Sequence, residues 1–171
     1  MSNITIGKKR FPLAEAEAIA LKVLEQLKPY CIRAEVVGSI RRKKADCGDI
    51  DICLLLKPDE IGLFQNGIAQ VINQWKKIKG KFPGKYIQII LPEGIMLDLY
   101  FTTEQNWGHL VTIRTGSCEF SKCLGKRWVA CGYKSVDGYL TKGGQLVEVR
   151  EEKDLFKILG LDYVEPENRN L

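Results

Sequence analysis

Three aspartates in this sequence have the types and spacing that chemistry needs. In Asp49-Ile50-Asp51 two acids flank one apolar residue. On a strand, alternate side chains share a face, so both carboxylates would point the same way with Cα atoms about 7 Å apart. Such a pair can hold one or two divalent cations, whose separation in two-metal sites is about 3.5–4 Å. A third acid, Asp98, sits between Met96-Leu97 and Leu99-Tyr100. An unpaired carboxylate in so apolar a run is costly, and a cation is its simplest partner. Hard oxygen ligands without histidine or cysteine favour Mg²⁺ or Mn²⁺ over zinc. An Asp-x-Asp alone more often reads as the wet face of a half-exposed sheet, with Asp98 paired to a lysine. Here the pair has company. Gly38-Ser39 leaves an apolar run eleven residues earlier, where backbone N–H groups and a hydroxyl can receive a phosphate. Arg41 and Arg42 follow, able to grip phosphate oxygens. Phosphate grip, carboxylate pair and third carboxylate are the order that metal-assisted phosphoryl or nucleotidyl transfer requires.

These side chains need elements to position them. Leu13, Ala16, Ala20, Val23, Leu24 and Leu27 recur at helical spacing behind Pro12, predicting a helix with proline in its first turn, stopped by Pro29. Ala34–Val37 reads as a short strand and Asp49–Leu56 as a buried one. Residues 60–77 look helical, with Ile61, Phe64, Ile68, Val71, Ile72 and Trp75 on one side, and 80–84 reads as a loop. Tyr86–Leu91 and Ile95–Phe101, separated by Pro92-Glu93-Gly94, signal a hairpin. A boundary is expected near 102–112, dividing a unit at 1–106 from one at 107–171. Beyond it, Ser117 should cap a helix carrying Phe120, Leu124, Trp128 and Cys131, with Gly132 ending it. Asp137-Gly138 and Gly143-Gly144 mark turns between short strands. Glu151 to Leu159 reads as a last helix before Gly160, its acids placed first as the dipole favours.

With 171 residues, 45% of them hydrophobic and 27% charged, the chain fits one globular domain or two joined subdomains. The N-terminus lacks the apolar core of a signal peptide and no run approaches the roughly 18 apolar residues of a membrane helix, so a cytoplasmic protein is expected. Its six cysteines form no Cys-x-x-Cys pair and His109 is the only histidine, which favours free thiols over zinc. Net charge is +5, distributed as +6 over 1–44, −2 over 45–112, +4 over 113–145 and −3 thereafter. Two basic blocks around an acidic middle suit a polyanion held near a metal centre, although solvated helix faces make similar blocks.

Gly38-Ser39-Ile40-Arg41-Arg42, Gly48-Asp49-Ile50-Asp51 and Leu97-Asp98-Leu99 together resemble the palm of the nucleotidyltransferase superfamily, specifically the family X DNA polymerases similar to polymerase beta. Thr115-Gly116-Ser117 is similar to that family's Thr-Gly-Ser turn, and Glu152-Lys153-Asp154-Leu155-Phe156 with Tyr163-Val164-Glu165-Pro166-Glu167-Asn168-Arg169 to its closing signature. The resemblance implies an α+β fold: a nucleotidyltransferase palm with a mixed or antiparallel sheet, plus a small α/β C-terminal subdomain, in a minimal form without the lyase domain. It implies a monomer that acts on primer–template DNA and nucleoside triphosphates with two Mg²⁺ or Mn²⁺ ions, and it implies no membrane partner. Asp49 and Asp51 would bind both metals, and Asp98 would bind the catalytic one and help deprotonate the primer 3′-hydroxyl. Ser39 and Arg42 would hold the β/γ-phosphates beside Gly38, Gly48 would allow close approach, and Thr115, Gly116, Ser117, Cys118 and Ser121 would shape the nucleotide pocket. Lys8, Lys9, Arg10, Arg114, Lys122, Lys126 and Arg127 would meet DNA, in salt-sensitive contacts independent of sequence.

The chain departs from that pattern at several positions. Ile113-Arg114 stands where the family commonly has Tyr-Phe, which helps exclude a ribose 2′-hydroxyl, and Met96 stands where it usually has Arg. Cys118 and Ser121 replace the frequent Asp and Asn near the base. Trp75 and Trp128 lie on apolar stripes and read as core, whereas Trp107, in a polar stretch beside His109, is a candidate for a nucleic-acid contact. His109 itself reads as structural. The expected activity is addition of dNTPs to a primer end with release of pyrophosphate. The alternatives are the same chemistry on another acceptor (untemplated DNA, RNA, a protein or a small molecule), or an idle nucleic-acid-binding module.

Overall fold

The computed structural model describes residues 9–60 and 67–171. The stripe at the start becomes helix α1 (Leu13–Leu27), whose Ala16, Ile19, Ala20, Val23, Leu24 and Leu27 are buried. Pro12 lies just outside it in extended backbone and, with Phe11, forms strand β1 (Phe11–Pro12). Strand β2 (Cys31–Val36) runs antiparallel to β4 (Asp49–Leu56), and the short β3 (Asp46–Cys47) pairs with β1. Between β2 and β4 the chain makes one helical turn, α2 (Gly38–Arg41).

Helix α3 covers only Gly67–Asn73, and Pro58–Glu60 is a separate turn of 3₁₀ helix. The helix expected over 60–77 is corrected at its end: Lys76–Gly80 is strand β5, which also takes Gly80 out of the expected loop. Ile61 and Phe64, assigned to that helix, lie outside the described residues. All five β5 residues are exposed, and three of them are lysines. That composition suits the edge of a sheet, where charge discourages pairing with another chain, and it hides the strand from any reading based on apolar alternation.

Strands β6 (Tyr86–Ile90) and β7 (Met96–Thr102) form the expected hairpin. The main sheet has the order β2-β4-β7-β6-β5, antiparallel except for the central β4–β7 pair, which is parallel. One face buries Ile50, Ile52, Leu54, Ile87, Ile89, Leu97 and Leu99 against α1 and α3. Because strand side chains alternate, this apolar packing commits the odd residues of β4 and the even residues of β7 to the other face.

The C-terminal part contains helix α4 (Trp107–Thr115), helix α5 (Cys118–Ala130), a three-stranded sheet of β8 (Tyr133–Val136), β9 (Tyr139–Lys142) and β10 (Gln145–Val147), and helix α6 (Glu152–Ile158). Phe120, Leu124, Leu140, Val149, Leu155, Phe156 and Leu159 make its core. The fold is thus α+β.

Helix α4 starts at the first residue of the expected second unit and overlaps the 102–112 stretch. It has no apolar stripe to betray it, because it is buried on several sides at once: Trp107, Gly108, His109, Val111, Thr112 and Thr115 are all buried. Trp107 and Val111 pack with Val37, Cys53 and Leu55 of the main sheet. At Gly108 a Cβ would lie 2.2 Å from the Glu151 backbone, so only glycine permits this approach of α4 to the chain before α6. Trp107 is 1% exposed, with the Arg33 guanidinium stacked on its ring, which removes it as a nucleic-acid contact. Trp75 and Trp128 are partly buried against the two main cores. The six cysteines are free, with Cys118 and Cys123 exposed. No described helix is long and apolar enough to cross a membrane.

Candidate active site

The parallel register of β4 and β7 sets Asp51 directly beside Asp98, and Asp49 beside Met96. On the far side of β7, Gln88 of β6 is opposite Asp98, and Tyr86 is opposite Tyr100. One row across the sheet therefore reads Gln88, Asp98, Asp51. Asp98 is 8% exposed. Its Oδ1 accepts hydrogen bonds from the Tyr86 hydroxyl at 2.7 Å and from Gln88 Nε2 at 2.9 Å. The Tyr100 hydroxyl donates to Asp51 Oδ1 at 3.3 Å. Burial, reinforced by the nearby Asp49 and Asp98 carboxylates, pushes the Asp51 carboxyl up to about 7. Burial, with the Asp51 and Asp98 carboxylates, also raises both tyrosines, keeping their hydroxyls as donors.

Asp51 thus sits in a concentration of negative charge that a hard cation would relieve, and the oxygen-only donor set fits Mg²⁺ or Mn²⁺. As the side chains stand, no three His, Cys, Asp or Glu groups among the described residues converge on one metal position.

The turn after β2 is tied to this corner. Val37 N–H donates to the Asp51 carbonyl at 2.8 Å, and Gly38 adopts φ +64°, where L side chains are strained. A Cβ on Gly38 would fall 2.1 Å from Asp51 Oδ2. The glycine is therefore required twice, by its backbone and by the carboxylate beside it. Gly38→Ala is expected to slow catalysis about 10²-fold, the scale of an ångström's misplacement of a reacting group, with rapid-quench single-turnover rates as the measurement. A wild-type rate would show that the contact is dispensable. Ser39 Oγ is buried with no hydrogen-bond partner among the described residues, so the hydroxyl of this turn is available to a ligand. Gly48 is buried where β3 passes into β4.

Arg41 and Arg42 separate into two roles. Arg41 Nη2 bonds Glu152 Oε2 at 2.6 Å and Glu35 Oε1 at 2.9 Å, and its Nη1 donates to Thr115 Oγ1 at 2.8 Å. It ties β2, α2 and α6 together, which corrects the reading of Arg41 as a phosphate grip. Arg42 donates to the Thr115 carbonyl at 2.6 Å and to Asn170 Oδ1 at 2.8 Å, and its burial lowers its pKa despite Asp51, Cys47 and Asp49 nearby. Thr115 is fully buried, its hydroxyl bonded by Arg41 and its carbonyl by Arg42.

Beside Asp51 opens a shallow pocket of about 520 Å³, lined by Tyr100, Ile113, Arg114, Gly116, Cys118 and Ser121 among others. Ser117 caps α5 by accepting from Phe120 N–H at 3.1 Å, and donates to the Leu171 carbonyl. Ser121 donates to the Ile113 carbonyl. The Arg114 guanidinium stacks on Tyr100 at 4.1 Å, linking α4 to the tyrosine that holds Asp51. His109 is buried behind Trp128, with Nε2 3.1 Å from Ser135 Oγ and burial lowering it to about 4.

The other cations are dispersed. Lys9 lies over Phe11, Arg10 pairs with Asp46, Lys122 pairs with Glu119, Arg127 donates to the Leu159 carbonyl and Lys126 is exposed. Lys8 lies outside the described residues. The site residues that sequence reasoning missed are Tyr86, Gln88 and Tyr100. Their signal is polar alternation along the two strands of the hairpin that carries Asp98.

A sheet that registers two aspartates side by side, next to a Gly-Ser turn and a second subdomain that borders the pocket beside Asp51, has the arrangement of a polymerase-type palm with its partner subdomain. Family models match on both counts: DNA polymerase beta palm over residues 10–84 and DNA polymerase beta thumb over residues 110–170. The chain belongs to family X, the polymerase beta-like branch of the nucleotidyltransferases. No curated protein sequence matches it.

Proposed function

We propose that this chain is a metal-dependent DNA polymerase that joins a dNTP to a primer 3′-hydroxyl and releases pyrophosphate, with 1–106 serving as palm and 107–171 as the nucleotide- and template-side unit. The observation that carries this reading is the register Asp51–Asp98 with Gly38 packed against the Asp51 carboxylate. Two divalent cations held by Asp49, Asp51 and Asp98 would neutralise the triphosphate and lower the pKa of the attacking hydroxyl.

The protein's own residues supply alignment. Asp98 faces the primer end as acceptor of the hydroxyl proton. Ser39 Oγ and Arg42, beside Gly38 and Gly48, hold the β- and γ-phosphates. Gly116, Ser117, Cys118 and Ser121 border the sugar and base. Ile113 and Arg114 line that pocket, Arg114 with its guanidinium over the Tyr100 ring, so ribonucleotides are tested beside dNTPs.

An acceptor panel tests the proposal: Mg²⁺ or Mn²⁺ with each dNTP or rNTP on primer–template, single-stranded DNA and RNA. Extension that follows the template base is the expected result. Untemplated addition would move the assignment to a terminal transferase.

DNA affinity should come from Lys9, Lys122 and Lys126 and should be independent of sequence. By fluorescence anisotropy between about 50 and 200 mM salt, each of Lys122→Ala and Lys126→Ala should weaken binding equally on all duplexes and reduce the log–log salt slope by about 1. An unchanged slope would place the DNA on another face.

A further inference from the structure

We infer that Tyr86 and Gln88 form a neutral two-donor clamp on Asp98, which fixes one carboxylate oxygen so that the other is presented to the reacting centre. This inference rests on the polymerase reading above and adds two positioning residues to it.

The geometry begins in the sheet register. Gln88 and Asp98 are directly opposed on antiparallel strands, and Tyr86 is the next residue along β6 on the same face. Both donors reach the same atom, Asp98 Oδ1, at 2.7 and 2.9 Å. The Cβ–Cγ torsion of an aspartate is broad and poorly held by rotamer preference. With Oδ1 tied from two directions that torsion is fixed, and Oδ2 is left for a cation or a hydroxyl proton. Tyr86 is itself supported: its ring stacks on Tyr100 with centroids 5.2 Å apart and planes at 29°, and Tyr100 holds Asp51. A single aromatic pair thus anchors both carboxylates of the row.

The clamp's neutrality matters to the chemistry. A cationic partner would orient Asp98 but would cancel the charge that a metal ion and a proton both need. A phenol and an amide orient it and leave that charge in place. Met96 shares the face of Asp98 two residues earlier on β7 and brings no hydrogen-bonding charge, so the orienting donors come from β6.

The test compares wild type with Tyr86→Phe, Gln88→Met and the double variant in single-nucleotide incorporation on primer–template. Tyr86→Phe keeps the stacked ring and removes only the hydroxyl; Gln88→Met keeps the side-chain length. The clamp predicts that kcat falls about 10- to 100-fold in the double variant, the range for residues that orient metal-binding side chains. The KM for dNTP and the thermal midpoint should stay at wild-type values. Mn²⁺ binding to the protein alone, followed by electron paramagnetic resonance, should weaken in the same order. Wild-type kcat in the double variant would overturn the inference, as would a loss of kcat that merely tracks a lowered thermal midpoint. A wild-type protein that incorporates nothing on any acceptor would overturn the polymerase reading, and the clamp with it, which separates that failure from the clamp's own.

Discussion

Asp51→Asn should reduce nucleotide incorporation by about 10³-fold or more while leaving the fold intact. A cation interaction in the transition state is worth several kcal/mol, and each 1.36 kcal/mol is a factor of ten in rate. Asparagine keeps the shape of the side chain and its bond to Tyr100, but it removes the charge that both other carboxylates act on. Burial and the neighbouring carboxylates destabilise that charge, so its neutral replacement should raise, or at least preserve, thermal stability. Lost activity with kept stability is the signature of a site residue whose energy is spent on binding cations. Rapid-quench kinetics beside a melting curve checks both halves, and a variant that loses both together would contradict the assignment.

Glu152→Gln should destabilise the protein by about 3–5 kcal/mol, the cost of removing one partner from a buried charged network. Glu152 is 8% exposed and accepts from Arg41 Nη2 at 2.6 Å, from Arg169 Nη1 at 2.5 Å and from the Tyr163 hydroxyl and Thr112 Oγ1 at 3.3 Å each. Burial opposes its charge, yet the two arginines outweigh that and hold its carboxyl below the usual glutamate range. Arg169 has no exposure at all and is enclosed by Phe120, Phe156 and Tyr163. With glutamine at 152, the Arg169 guanidinium would remain buried without the counter-charge it has now, and Arg41 would be left with Glu35. The network joins α2, α4, α6 and the C-terminal segment, so the loss should appear in the urea midpoint of the whole chain. A loss below about 1 kcal/mol, the scale of an exposed ion pair, would mean that both arginines reach water in solution.

The acidic centre was legible because its signal is local. Asp49 and Asp51 announce a shared face by spacing alone, and Asp98 stands out by its apolar neighbours. The strand pairing that aligns Asp51 with Asp98 is a long-range fact about a parallel pair, and no local pattern contains it. Alternation marks Tyr86 and Gln88 as one face of a strand, but their importance comes from a partner on another strand. Arg41 looked equivalent to Arg42 because the residue type is the same. Only the fold shows that one guanidinium faces Glu152 and the other the turn. Helix α4 and strand β5 escape patterning in opposite ways, α4 because it is buried on too many sides to show a stripe, β5 because as a charged edge it is buried on none. Trp107 belongs with α4: its polar neighbours suggested exposure, while Val111 one turn later and the sheet beneath it made it core.

Nucleotidyl transfer is the reaction we propose for the Asp49–Asp51–Asp98 corner. Its most direct test is pyrophosphate release, measured with wild type and Asp51→Asn side by side on primer–template with the complementary dNTP and Mg²⁺. One pyrophosphate is expected for each nucleotide added by wild type, with release by Asp51→Asn reduced about 10³-fold. Wild-type protein that binds DNA in a salt-sensitive manner yet releases no pyrophosphate, with Asp51→Asn binding DNA identically, would contradict it.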